Sequence, residues 1–301
     1  EAEDRFIRYG AISRRLVDAY PKDASMVMEL AYTLTNLGAV ERSRINPDSD
    51  KALRLSQSAL QYNQIALVLD PDNDGYRKSL AVKLAFLGDA WLDTCDLGKS
   101  IDFRQQNVDI ARELYQRSPA DPELQLEFAY SLSGLARVQQ RIPITDQALA
   151  NLRASRDLLL EAAAADNDNP VLYIRALMRD LRIMSIRIWE EPPQALWQEL
   201  LTLRDQLIEA GPLPDIEMRV EYARFLSDVS RIALQLGKRE EADQYLREAT
   251  RRLEALVAEL LDAGEVTLVD GDGAAWAGGR AARRRFWKRT LPLREALGEP
   301  A

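Results

Sequence analysis

One alanine recurs along this chain at a spacing that few folds can accommodate. Ala31, Ala81, Ala129, Ala176 and Ala223 stand 50, 48, 47 and 47 residues apart. They sit inside related motifs: Glu29-Leu30-Ala31-Tyr32, Ser79-Leu80-Ala81-Val82, Glu127-Phe128-Ala129-Tyr130, Ile174-Arg175-Ala176-Leu177 and Glu221-Tyr222-Ala223-Arg224. Three positions on come Leu34, Leu84, Leu132 and Leu226, with Arg179 the exception, and three further on Leu37, Leu87 and Leu135. Steps of three and four keep these side chains on one face of a helix, the stripe that packs against a neighbour. Return of one pattern at a fixed period is the mark of a repeat architecture, in which each unit buries its apolar face on the next.

Turn-forming residues fall at the same period. Pro21-Lys22-Asp23, Pro71 to Gly75, Pro119 to Pro122, Asp166 to Pro170 and Gly211 to Pro214 each precede an alanine motif. Proline ends one helix, Asp or Asn caps the next, and proline fits a helix's first turn. Second helical stretches are expected over roughly 50–69, 99–117, 146–165, 193–209 and 239–262. No segment alternates with the period of two that a half-buried strand needs. The expectation is an all-α fold of about eleven to twelve helices in long antiparallel hairpins. The array spans residues 1–265, and a Gly-rich connection and basic helix or tail spans 266–301. Residues 5–20 end like the second helix of a hairpin, so the first hairpin reads as incomplete, with an upstream part removed or a capping helix at its start.

These motifs resemble the tetratricopeptide repeat, whose pattern runs W-x2-L-G-x2-Y, then A-x3-F, then A and P. Leu84-x2-Leu87-Gly88-x2-Trp91 follows the first part, and Leu34-x2-Leu37-Gly38 does so with Glu41 in the tyrosine place. Ala66 to Asn73 is similar to the repeat's ending, and Gly237, Ala242, Leu246 and Ala249 keep its spacing of small and large residues. The period departs from the family's 34 residues, so both helices of each hairpin are longer. That long form resembles arrays attached to bacterial signalling proteins. The resemblance implies a right-handed α-solenoid that works as a protein-interaction scaffold, the sensor or adaptor region of a larger bacterial signalling or regulatory protein. The alternative is a receptor whose occupied groove, holding a peptide or small ligand, regulates a linked effector domain upstream of Glu1.

Composition narrows the chemistry. Of 301 residues one is cysteine, Cys95, and none is histidine. An intramolecular disulfide, Cys/His zinc sites and the commonest general base are thereby excluded. No apolar run reaches the eighteen residues of a spanning helix. The net charge is −8, but the residues from Ala274 on carry seven basic and two acidic side chains, which leaves −13 on the first 273. So acidic a body repels phosphate backbones, which makes nucleic acid a poor partner except through the tail. The tail residues Arg280, Arg283, Arg284, Arg285, Trp287, Lys288 and Arg289 can meet an anionic surface or fold back to cap the array. Localisation is expected to be cytoplasmic, or on the periplasmic side of a membrane-anchored signalling protein.

No catalytic, metal or cofactor constellation emerges, so no enzyme is expected. Asp70-Pro71-Asp72-Asn73-Asp74-Gly75 begins like a calcium loop, but the twelfth position, where a bidentate Glu is required, is Ala81. Trp91, Trp189 and Trp197 are expected to pack inside, given the area tryptophan buries. First helices line the groove in the resembling family. One, five and eight positions after the anchors, opposite the apolar stripe, stand Tyr32, Asn36, Phe86, Asp89, Tyr130, Arg137, Arg224, Asp228 and Arg231. Aromatic and arginine side chains are the residues that dominate binding hot spots, so these are the candidate contacts for a protein or peptide partner. Val82, Phe86, Leu177 and Leu181 share those positions and can equally be core.

Overall fold

A computed structural model describes residues 2–44, 47–142, 145–166 and 168–262, and every regular element among them is an α-helix. The helices are α1 (Ala2–Ala19), α2 (Ala24–Ser43), α3 (Ser49–Leu69), α4 (Asp74–Asp93), α5 (Leu97–Arg117), α6 (Pro122–Gln139), α7 (Thr145–Ala165), α8 (Pro170–Arg187), α9 (Pro193–Glu209), α10 (Ile216–Gln235) and α11 (Arg239–Asp262). The second helices fall within two residues of their expected spans. The basic tail from Arg280 to Arg289 lies outside the described residues.

Local chemistry sets the boundaries. Asp23 accepts the Ser25 and Met26 N–H groups, Asn73 that of Tyr76, Asp121 those of Glu123 and Leu124, and Asp215 that of Met218. Asp48 and Asp96 do the same for the second helices α3 and α5. Each such cap stabilises its helix by about 1 kcal/mol, because it satisfies a donor the helix itself leaves open. Pro122, Pro170 and Pro193 occupy first-turn positions where no N–H is needed. At its C-terminal end α4 closes on Cys95 at φ 64°, and α10 on Gly237 at φ 75°. In both, the next N–H turns back onto the last turn: Asp96 onto the Trp91 carbonyl and Lys238 onto that of Ala233. Glycine carries that left-handed conformation freely; cysteine does not.

The described residues form two compact units, one up to Ser155 and one from Arg156, the division falling within α7. In the first unit α2 packs on α1 and α3, and α4 on α3 and α5. α6 packs on α5, while the first helices α2, α4 and α6 also touch in succession. In the second, α10 packs on α8, α9 and α11 around Met178, Leu196, Leu200, Leu226 and Ile232. All five anchor alanines are buried, none more than 5% exposed. Small residues let the helices of a hairpin approach. A Cβ on Gly38 would meet Ser56 Oγ at 3.3 Å, and one on Gly88 would meet Arg104 Cγ at 2.9 Å.

Polar groups join the hairpins at the same depth. Asn107 Nδ2 on α5 donates to the anchor carbonyl of Ala81 at 3.0 Å, and Ser155 Oγ on α7 to that of Ala129 at 2.6 Å. Ser100 Oγ donates to Gly88 O at 2.7 Å. Glu41, in the repeat's tyrosine place, is buried and accepts from Lys51 Nζ at 2.6 Å and from the Asp48 N–H at 3.2 Å. The Lys51 hydrogen bond holds its carboxyl below the usual range. This ion pair ties α2 to α3 at their turn.

Candidate functional site

The candidate surface of the first unit is the row of α2, α4 and α6. Positions one, five and eight after each anchor lie within a narrow arc of the helix, opposite the stripe formed by the anchor and the residues three and six after it. Tyr32 on α2 is 52% exposed, and Asn36 donates from Nδ2 to the Tyr32 carbonyl at 2.9 Å. Val82 on α4 is exposed, and Phe86 on α4 and Tyr130 on α6 are half-buried. The row therefore offers aromatic surface on three successive repeats.

At one end of this row a carboxylate gathers three guanidinium groups. Asp89 on α4 binds Arg104 from α5 and Arg137 from α6, and Arg42 from α2 stands 3.5 Å away. Arg42 also meets Asp93 at 2.6 Å. Burial pushes the Asp89 carboxyl up, but the charges of Arg104 and Arg137 overcome that and leave it below the ordinary carboxylate range. Arg104 is 7% exposed, and it fits only because Gly88 lies beneath its stem and Gly134 beneath its head. A Cβ on Gly134 would collide with Arg104 Nη1. Arg137, with 39% of its side chain exposed, is the outermost of the three guanidinium groups. The cluster holds three cationic groups against two carboxylates, and it ties α2, α4, α5 and α6 together.

In the second unit the candidate residues divide differently. Leu177 and Leu181 are buried in the core, which settles their reading as packing residues. Asp228 is buried too, with Arg231 Nη2 3.5 Å from its carboxylate. Arg224 and Arg231 are half-buried. Arg231 lays its guanidinium over the Trp189 ring, 3.8 Å from the centroid. Trp189 itself is 67% exposed, against the expectation that it packs inside. It follows the C-cap of α8, where the chain has left the apolar stripe, and Arg231 covers one face of it. Trp91 and Trp197 are half-buried. Trp197 meets Tyr245 edge-on at 6.3 Å, and Lys99 stands 3.9 Å above Trp91.

Sequence reasoning missed Arg42, Arg104 and Asp93, and it missed Lys83, which is buried on α4 with Ser79 Oγ as hydrogen-bond partner at 2.6 Å. The calcium-like turn is used for capping and ion pairs. Asn73 caps α4 and donates to Asp70 at 2.8 Å, and Asp74 meets Arg77 at 2.8 Å and Arg117 at 3.2 Å. Cys95 is exposed in its turn.

No family model matches the sequence, and no curated protein matches it. Among solved structures the chain is similar to BtubC (BKLC) from P. vanneervenii, at 12% identity over 91% of this chain and 95% of that one, with a TM-score of 0.60. A thermophilic TPR protein of Thermus thermophilus matches over 87% of this chain and 99% of that one, at 15% identity and a TM-score of 0.39. The likeness to BtubC shows the fold. The described residues are all-helical, in successive antiparallel hairpins. Among the described residues no helix is long and apolar enough to cross a membrane.

Proposed function

We propose that this chain is a protein-interaction scaffold that holds its partner along the row of first helices α2, α4 and α6, and that it performs no chemistry of its own. The observation that carries this reading is the exposed Tyr32 in line with the half-buried Phe86 and Tyr130, ending at Arg137. A chain that only had to stack its repeats would hide such side chains, whereas aromatic and arginine groups on a rigid row supply contact area at small entropic cost. The arrangement suits an extended peptide or a helix, read by apolar contacts along the row and by charge at the Arg137 end. The lengthened repeat favours a narrower version, in which the array is the sensor or adaptor region of a bacterial signalling protein.

The test is selection of binders from a displayed peptide library, followed by titration of the best binder against variants. Tyr32→Ala and Tyr130→Ala are each expected to weaken binding by about 2 kcal/mol, the usual cost of truncating a hot spot. Their melting temperatures are expected to stay close to that of the parent chain, because neither side chain is fully buried. Binders indifferent to both substitutions would place the docking face elsewhere.

A further inference from the structure

The second unit hides a face that the first unit keeps open. Opposite the stripe, one, five and eight positions after the anchor, α2 carries Tyr32, Asn36 and Ala39, α4 carries Val82, Phe86 and Asp89, and α6 carries Tyr130, Gly134 and Arg137. None of these residues is buried. The same positions of α8 hold Leu177, Leu181 and Met184, which are 3%, 4% and 4% exposed. One repeat on from Leu181, Asp228 of α10 is buried as well. Ala176, Met178 and Ile183 are buried on the other sides of α8, so the helix is enclosed all round. That is the pattern of a helix inside a core, not of one that lines an open groove.

Flanking helices do not produce that enclosure. α2, α3, α5 and α6 all pack around α4, and Val82 on its open face is still 37% exposed. The face opposite the stripe is therefore left to whatever lies in front of it. The large rings of α10 do not lie there. Tyr222 and Phe225 stand one position before and two after their anchor, turned to the stripe side of their own helix. They join the core from behind, with Leu226 and Val229. Among the described residues, then, no helix lies in front of Leu177, Leu181 and Met184.

These side chains are buried in a single copy of the chain, so the chain itself supplies their cover. The longest stretch outside the described residues is 263–301, which follows α11 and belongs to the same compact unit. It contains Trp276, Phe286, Trp287 and Leu291, and aromatic rings of this kind bury large areas. Charge draws it inward, because the residues from Ala274 on carry +5 and the first 273 carry −13. Its length suffices too. α11 packs on α10 and α10 on α8, two steps of about 8–10 Å each. About ten extended residues at roughly 3.3 Å apiece span that distance, and all of 263–285 precedes Phe286. We propose that the stretch from Trp276 to Leu291 lies along the first helices of the second unit and covers Leu177, Leu181 and Met184. The second unit's groove is then filled by the chain's own tail, while the row of α2, α4 and α6 stays open. This occupancy is independent of what the first unit binds.

The test is made on the full chain. Phe286 and Trp287 are replaced, one at a time, by the photo-crosslinking residue benzoylphenylalanine, and irradiation is expected to join them to α8 or α10 of the same molecule. Hydrogen exchange read by mass spectrometry is expected to show the amides of 283–291 slowed roughly tenfold or more against the unstructured rate. Leu181→Glu sets a charge in the covered face and is expected to release those amides, whereas Val82→Glu, on the open face of α4, leaves them protected. Helicity by circular dichroism shows whether each variant folds. If Leu181→Glu does not, the pair Phe286→Ser and Trp287→Ser carries the test, with exchange over 176–188 expected to rise roughly tenfold and exchange over 81–93 unchanged. Crosslinks between two copies, crosslinks confined to α11 or to the first unit, or no crosslink at all overturn the proposal. So do tail amides that exchange at the unstructured rate in the parent chain, a folded Leu181→Glu chain whose tail stays protected, or a Ser pair that leaves exchange over 176–188 unchanged.

Discussion

Replacing Lys83 by methionine is expected to make the chain more stable. The ammonium group is buried between repeats, two positions after the Ala81 anchor, where the other repeats place Thr33, Ser131, Met178 and Phe225, all buried. Burial lowers its pKa from 10.5 to about 8, and its hydrogen-bond partner is the hydroxyl of Ser79. At about 1.4 kcal/mol per pH unit, that displacement costs the folded state about 3 kcal/mol at neutral pH. Methionine keeps most of the stem's volume and removes the charge, and Ser79 is exposed enough to bond water instead. The pH dependence identifies the cause. The folded state holds this proton less tightly than the unfolded chain does, so the cost is full below about pH 8 and fades as pH rises toward 10.5. Urea unfolding followed by circular dichroism is expected to show Lys83→Met about 3 kcal/mol above the parent at pH 7, with the gap closing by pH 10.5. A variant less stable than the parent at pH 7, or a gap of the same size at both pH values, refutes the reasoning.

Cys95→Gly is expected to raise stability by about 1 kcal/mol in the same assay, since glycine adopts φ 64° without the strain a side chain incurs. Gly134→Ala forces Arg104 off its seat against Asp89 and is expected to cost about 2 kcal/mol, measurable as a lowered urea midpoint. Asp89→Asn leaves Arg104 buried beside a neutral amide and is expected to cost about 3 kcal/mol. The parent chain, whose Asp89 pKa is depressed, holds that contribution above about pH 4 and loses it as pH falls through the folded-state value, whereas the variant shows no such acid-side loss.

The hairpin boundaries were legible because helix ends are decided locally. Asp23, Asn73, Asp121 and Pro122 act on their own next turn, and no distant contact can overrule them. The anchor alanines were legible because a period survives any single substitution. Leu177 and Leu181 were ambiguous, since periodicity cannot tell a widened core stripe from an apolar groove, and packing within the second unit decided it. The arginine cluster was hidden by distance along the chain, although a signal existed. Arg42 and Asp89 are 47 residues apart, and Asp89 and Arg137 are 48, each pair one repeat apart. Opposite charges separated by one period stand side by side once the repeats stack. Arg104 has no such marker, and only Gly88 and Gly134, small where a larger side chain would serve a plain helix, betray it.

A stack of repeats ordinarily loses structure piecemeal, each unit bound to its neighbours alone. Asp89 alters that behaviour in the first unit. Its carboxylate is held in common by side chains of α2, α5 and α6, so opening any one of these helices strands charge belonging to the others. Fraying that begins at either side must therefore take all three first helices at once or stop short of them. In hydrogen exchange, amides of α2, α4 and α6 near this end would then share a single opening free energy, and the row would melt as one block instead of unravelling from its edge.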